Sequence, residues 1–193
     1  MASTTQVLIH EMYIAYYQRM ADPDGLAYWT EQIELHGWTA VSAAFSNAPE
    51  SDALYGGMSR AETVSAIYAS AFNREAVQEE VDFWVASEHS DADLAFAIVH
   101  GAQNDDLTTL QNKVDFSIGF QAVMDPDGDG QDFVFKYAGD ADADTGREMM
   151  AEVDKDDNVD LDFVVKSTLG NLSANQDDTY FTLTEASRVS YSD

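Results

Sequence analysis

The segment Met12–Trp29, MYIAYYQRMADPDGLAYW, returns in altered form as Ile67–Trp84, IYASAFNREAVQEEVDFW. Tyr13, Tyr17, Arg19, Ala21, Leu26, Tyr28 and Trp29 stand opposite Tyr68, Phe72, Arg74, Ala76, Val81, Phe83 and Trp84, each pair 55 positions apart. A constant offset across aromatic, basic and small residues marks an internal repeat. Within each copy the aromatics lie four apart before the Arg, which suits one helix face, and adjacent after the loop. Each copy is therefore expected to be a helix, a tight connection and a second helix packed back on the first. The register continues outward, because Val41 and Ala44 align with Phe96 and Val99 at the same offset. Three helices per repeat follow.

Taken in order, a helix from about Thr5 to Met20 presents Leu8, Met12, Ala15, Tyr16 and Arg19 near one face. Ala21-Asp22-Pro23-Asp24-Gly25 ends it, since Pro fixes φ and Gly permits the turn; Asp22 and Asp24 read as helix caps. A second helix to His36 carries Tyr28, Trp29 and Ile33 inward and stops at Gly37. Thr39 is expected to cap a short helix through Val41, Ala44 and Phe45, followed by a loop at 47–51. Ser59-Arg60-Ala61-Glu62 is a capping-box pattern opening the second copy, whose paired helices end near Asn73 and Ser87. Ser90-Asp91-Ala92-Asp93 starts another helix through Leu94, Ala97 and Ile98 to a turn at Gly101. A longer helix from about Asp106 to Val123, with Leu107, Leu110, Val114 and Ile118 in one stripe, closes the array.

The predicted fold class is mainly α. Residues 1–123 form a helical repeat domain of two three-helix units and a closing helix, and residues 124–193 form an acidic, α-rich region ending in a short strand. Between Asp125 and Asp162, fourteen acidic residues stand against three basic ones. Thr145–Val153 and about Val159–Leu169 are expected helices there, with Phe133–Tyr137 and Thr179–Thr184 expected strands. Over all 193 residues, 36 Asp and Glu against 9 Lys and Arg give a net charge of −27. Such a field disfavours nucleic acid and anionic membranes unless metal ions screen it. The absence of cysteine removes disulfides, thiol catalysis and thiolate metal sites. The N-terminus lacks a basic n-region and a long apolar core, so it does not read as a cleaved signal peptide. Nor does any run approach the roughly 20 apolar residues of a transmembrane segment.

Asp125-Pro126-Asp127-Gly128-Asp129-Gly130-Gln131 is the sharpest chemical signal. Oxygen ligands at alternate positions, with Gly at the sixth, let a loop wrap a hard cation, and the loose geometry fits calcium better than magnesium. Asp125, Asp127, Asp129 and Gln131 are the candidate ligands. Position twelve is Lys136 where an EF-hand carries Glu, so either the remaining ligands come from elsewhere or the turn is simply solvated. Asp154, Asp156 and Asp160 make a second candidate, which lacks the Gly and serves equally as a cap for the following helix. His10, His36, His89 and His100 show no paired spacing and read as surface or helix-end residues. No nucleophile elbow or phosphate-cradling loop appears, and nothing in the residues argues for an enzyme. Tyr28-Trp29 and Phe83-Trp84 suit sugar stacking if exposed, although their register favours the core.

The repeat also carries a resemblance. Tyr-x3-Tyr/Phe-x-Arg, the loop Asp22-Pro23-Asp24-Gly25-Leu26, Tyr28-Trp29, Phe45-Ser46-x3-Glu50, and Asn112-Lys113-Val114 before Phe116 resemble the helical domain of unknown function found in large exported bacterial proteins. That family is distantly related to phycobilisome linker domains, and the likeness covers about residues 6–123. Val77-Gln78-Glu79-Glu80 departs from it, having lost both Pro and Gly. The resemblance implies a cell-surface location in surface-layer or repeat-in-toxin-like proteins, export without an N-terminal signal by a type I system, and attachment to lipopolysaccharide, with calcium knitting the lattice. It further implies that Thr179–Thr184 begins a β-rich region. The expected function is thus a structural, calcium-binding surface protein forming a homo-oligomer or lattice or holding surface polysaccharide, with no nucleic-acid partner and no transmembrane segment. The alternatives are a linker or adaptor docking a protein partner, and a polysaccharide-acting hydrolase.

Overall fold

The computed structural model describes residues 2–124 and 140–172, and it is mainly helical, with ten helices and no strand among those residues. The first repeat is α1 (Thr4–Tyr17), α2 (Pro23–His36) and α3 (Trp38–Ser46). After α4 (Pro49–Tyr55) comes the second repeat, α5 (Arg60–Phe72), α6 (Gln78–Ala86) and α7 (Asp91–His100). The chain continues with α8 (Asn104–Met124), α9 (Asp140–Glu152) and α10 (Leu161–Leu172). The offset of 55 survives in three dimensions: α1 and α5 end at Tyr17 and Phe72, α2 and α6 begin at Pro23 and Gln78, and α4 and α8 begin at Pro49 and Asn104. Thus α8 starts as the counterpart of α4 and runs on. The expected strands at Phe133–Tyr137 and Thr179–Thr184 lie outside the described residues. No helix among the described residues is long and apolar enough to cross a membrane.

Local chemistry sets the boundaries. Ser3 and Ser59 accept from the backbone N–H of Gln6 and Glu62, whose side chains reach back to close two capping boxes. Helices α1 and α5 stop where Gln18 (φ 59°) and Asn73 (φ 54°) adopt the left-handed conformation and reverse the chain. Two sequence expectations shift. Gly37, at φ 77°, is the N-cap of α3, so Thr39 lies inside that helix and does not cap it. Most of the expected loop at 47–51 is helix, because Pro49 in the first turn needs no donor and pre-sets φ.

Helix α1 is the axis of the repeat domain. Its residues Ile9, His10 and Met12–Tyr17 are buried, because α2, α3, α7 and α8 surround it. Phe45 from α3 sits at the centre, with the rings of Trp29, Tyr17 and Tyr13 at 4.5, 4.9 and 5.4 Å. The closing helix α8 buries a wider face than its expected stripe. Leu110 and Val114 are buried as expected, yet Leu107 is exposed, and Lys113, Phe116, Ser117 and Phe120 are buried between α1, α5 and α10. Helix α10 approaches α8 at Gly119, where a Cβ would come within 2.9 Å of the Val164 side chain. Met149, Met150, Val153 and Val164 join the same buried cluster as the repeats.

His10 corrects the expectation of surface or helix-end histidines, which holds for His36 and His100. It is 1 % exposed within α1, and its Nδ1 lies 2.7 Å from Ser117 Oγ, which also accepts from the Ala21 N–H at 3.1 Å. Burial pushes the imidazole down to about 4. Below pH 6.5 the unfolded chain takes up this proton before the folded one does, so stability is full above pH 6.5 and falls progressively towards pH 4. Between pH 7.5 and 5 this amounts to about 2 kcal/mol. Urea melts at both pH values are expected to show that loss in the native chain and not in His10→Gln; an equal loss in both would remove His10 as its source.

Candidate functional site

One arginine locks each helical hairpin. Arg19, 8 % exposed, donates through Nε and Nη2 to the two oxygens of Glu50 at 2.8 and 3.0 Å. Its Nη1 donates to Asp22 and to the Met20 carbonyl, and the guanidinium lies 5.0 Å from the Tyr13 ring centre. In the second repeat, Arg74 reaches Asp106 through Nε and Nη2 at 2.7 and 2.6 Å, reaches Glu80 at 2.8 and 2.6 Å, and lies 4.8 Å from Tyr68. A planar guanidinium fork is suited to this, since it pairs bidentately with carboxylates in its plane and presents a face to a ring. Bonding to Arg74 holds the Glu80 carboxyl below its ordinary range.

The altered second loop preserves this clamp by other means. In the first copy Asp22 caps α2 and pairs with Arg19, and Gly25 leaves room for the Tyr13 hydroxyl, which a Cβ would strike. At the position of Gly25 the second copy carries Glu80, which turns back to accept from the Val77 N–H at 2.9 Å while gripping Arg74. There the Tyr68 hydroxyl accepts from Trp84 Nε1 at 3.1 Å. Loss of Pro and Gly therefore exchanges an N-cap carboxylate for one three residues into the helix.

Beside Arg74 lies a cleft of about 640 Å³. It is lined by Tyr68, Phe72 and Ile98, by the α7–α8 connection at 101–103 and by the first residues of α8, Asn104 to Asp106. Asp154, Lys155 and Asp156, from the connector between α9 and α10, complete the lining. Asp105 and Asp156 keep 81 % and 80 % of their side chains in solvent. The connector is gripped by its backbone. Asn112 Nδ2 donates to the carbonyls of Asp154 and Asp157 at 2.7 and 3.1 Å, and Asn73 Nδ2 donates to those of Ala151 and Val153, both at 3.0 Å. Lys113 Nζ steadies Asn73 by donating to its Oδ1 at 2.7 Å and to the Ser70 carbonyl at 2.6 Å. Burial pushes the Lys113 ammonium down to about 7, with Asp154 acting in the opposite sense.

Among the residues read as calcium ligands, Asp125, Asp127, Asp129 and Gln131 lie outside the described residues. Asp154, Asp156 and Asp160 are not brought together as one set. Asp154 and Asp156 line the cleft, joined by a bond from the Asp156 N–H to Asp154 Oδ1 at 2.8 Å, whereas Asp160 caps α10 by accepting from the Phe163 N–H at 2.9 Å. Among the described residues no group of three or more His, Asp or Glu side chains stands close enough to hold a metal ion. Calcium takes 6–8 oxygens. The connector places two carboxylates, Asp154 and Asp156, at the cleft.

The paired aromatics divide. Trp29 and Trp84 pack against the core, but Tyr28 and Phe83 are 53 % and 65 % exposed, because neighbouring helix residues point about 100° apart. Sequence reasoning placed all four inside; it also passed over Asn73, Asp106 and Asn112 as working side chains. For the two asparagines the available signals were the left-handed turn at the repeat boundary and a polar pair, Asn112-Lys113, on a helix that buries its surroundings. Comparison of the chain with protein-family models, with curated proteins and with solved structures finds no match.

Proposed function

We propose that this chain is a structural cell-surface protein, a surface-layer-like subunit or its anchoring N-terminal domain, and that calcium bridges join it to further copies or to surface polysaccharide such as lipopolysaccharide. The observation that carries the reading is the convergence of carboxylates from two elements on one opening: Asp105 and Asp106 from α8, Asp154 and Asp156 from the connector. A divalent ion held there by one or two carboxylates fills its shell with water, sugar hydroxyls or an anionic group on the facing surface. Bridging of this kind offsets the repulsion between molecules that each carry −27. The resemblance of the repeat to helical domains of exported proteins supports the surface location.

Melting and light scattering of one purified sample in millimolar calcium, in magnesium and in chelator test this. Calcium alone is expected to raise the melting temperature by several degrees at a hundredfold excess over its Kd, about 2.7 kcal/mol, and to increase particle size. Asp154→Asn with Asp156→Asn is expected to reduce the response, as is Asp125→Asn with Asp127→Asn. Identical melting and size in all three solutions would overturn the proposal.

A further inference from the structure

Tyr28 and Phe83 hold the same repeat position, and both stand largely in solvent. They are the two aromatic residues among the exposed large apolar side chains of the described residues, whereas the other matched aromatics of the repeat are buried or packed against the core. Core packing explains the rings at 13, 17 and 29 and their partners 55 positions on. It does not explain those at 28 and 83. The two copies have meanwhile diverged around them, with Gln78 and Glu80 standing where the first copy has Pro23 and Gly25. Each exposed ring is also held in the same way: Tyr28 stands edge-on to Trp29 at 4.9 Å and 74°, and Phe83 edge-on to Trp84 at 5.1 Å and 79°. One turn earlier on the same helix flank lies an exposed carboxylate, Asp24 in the first copy and Glu79 in the second, again 55 apart. Among the described residues neither carboxylate is hydrogen-bonded or ion-paired.

A solvent-facing ring beside a carboxylate matches the two sides of a pyranose. The apolar C–H face of the sugar covers the ring, and its hydroxyls donate to the carboxylate, which only accepts. We infer that Tyr28 and Phe83 are two equivalent stacking sites for a neutral glycan, with Asp24 and Glu79 accepting from its hydroxyls. A net charge of −27 selects against anionic sugar units at sites that carry carboxylates of their own. The same field draws basic peptides, but it is spread over the whole molecule and singles out neither position. The matched ring does, and a polymer of one sugar is a ligand that presents the same face at both. Glucose in β linkage fits best, because its equatorial hydroxyls leave the ring face clear. The inference takes the polysaccharide partner from the proposed function and needs no calcium.

An NMR titration of the full chain with cellohexaose, in chelator, tests this, with a lysine pentapeptide as the contrasting probe. Saturable shifts are expected with the glycan at the amides of 24–32 and 79–86. Tyr28→Ala is expected to remove the first set and leave the second, and Phe83→Ala the reverse; both side chains lie at the surface, so both variants keep the fold. Asp24→Ala with Glu79→Ala is expected to weaken binding about threefold. Absence of saturable shifts with cellohexaose, shifts that survive in the variant lacking both rings, or shifts with the peptide alone would overturn the inference. A separate calcium titration tells the two proposals apart. Assembly driven by calcium without a glycan response overturns stacking and leaves bridging standing; a glycan response in a chain indifferent to calcium supports stacking and counts against bridging.

Discussion

Phe45→Ala is expected to destabilise the protein by about 3–5 kcal/mol, lowering the melting temperature by roughly 10 °C. The side chain is fully buried and touches aromatic rings from both α1 and α2, so its loss leaves a cavity where three elements meet. The repeat supplies an internal control. The residue 55 positions on is His100, which is exposed and lies flat against Phe96 at 5.1 Å. Away from the core, His100→Ala is expected to cost about 0.5 kcal/mol. Urea melts of both variants check this, with Phe45→Leu as a milder substitution, costing about 1.5 kcal/mol, should the alanine variant fail to fold. Similar costs at positions 45 and 100 would mean that the core is not centred on Phe45.

Arg19→Ala is expected to cost about 2–4 kcal/mol, since it leaves the carboxylates of Asp22 and Glu50 in a partly buried site. Arg147 remains bonded to Glu50 and keeps the loss below that of a wholly orphaned pair. Arg19→Lys is expected to recover little, because an ammonium cannot bond both Glu50 oxygens, reach Asp22 and lie against Tyr13 together. At the second clamp Arg74 is 36 % exposed, so Arg74→Ala is expected to cost less, about 1–2 kcal/mol. Urea melts of Arg19→Ala, Glu50→Gln and the double variant give the coupling directly, and a value near zero would mean that the bidentate pair holds nothing. A lysine variant as stable as the native chain would show that charge alone suffices.

The two clamps also show why the altered loop was hard to read. Val77-Gln78-Glu79-Glu80 lacks the residues that mark the first turn, yet Glu80 restores the bond to arginine from another position. Pattern matching compares residue with residue, whereas the chain conserves a contact. The same limit applies at Tyr28-Trp29 and Phe83-Trp84: all four match at the repeat offset, and in each pair only the tryptophan takes the inward position.

By itself the sequence determined the helical class, the repeat of 55, most helix starts and stops, and the excess of negative charge. These follow from short-range causes: side chains three or four apart share a helix face, caps act on neighbouring N–H groups, and charge adds up without regard to fold. Only the tertiary structure decided that His10 and Lys113 are buried, that Asn73 and Asn112 hold a connector some forty or more residues away, and that Asp105, Asp106, Asp154 and Asp156 share a cleft. Each of these depends on which helices close around which faces. A face enclosed on three sides, as in α8, buries polar groups wherever distant backbone carbonyls can satisfy them, and nothing local in the chain records where those carbonyls will lie.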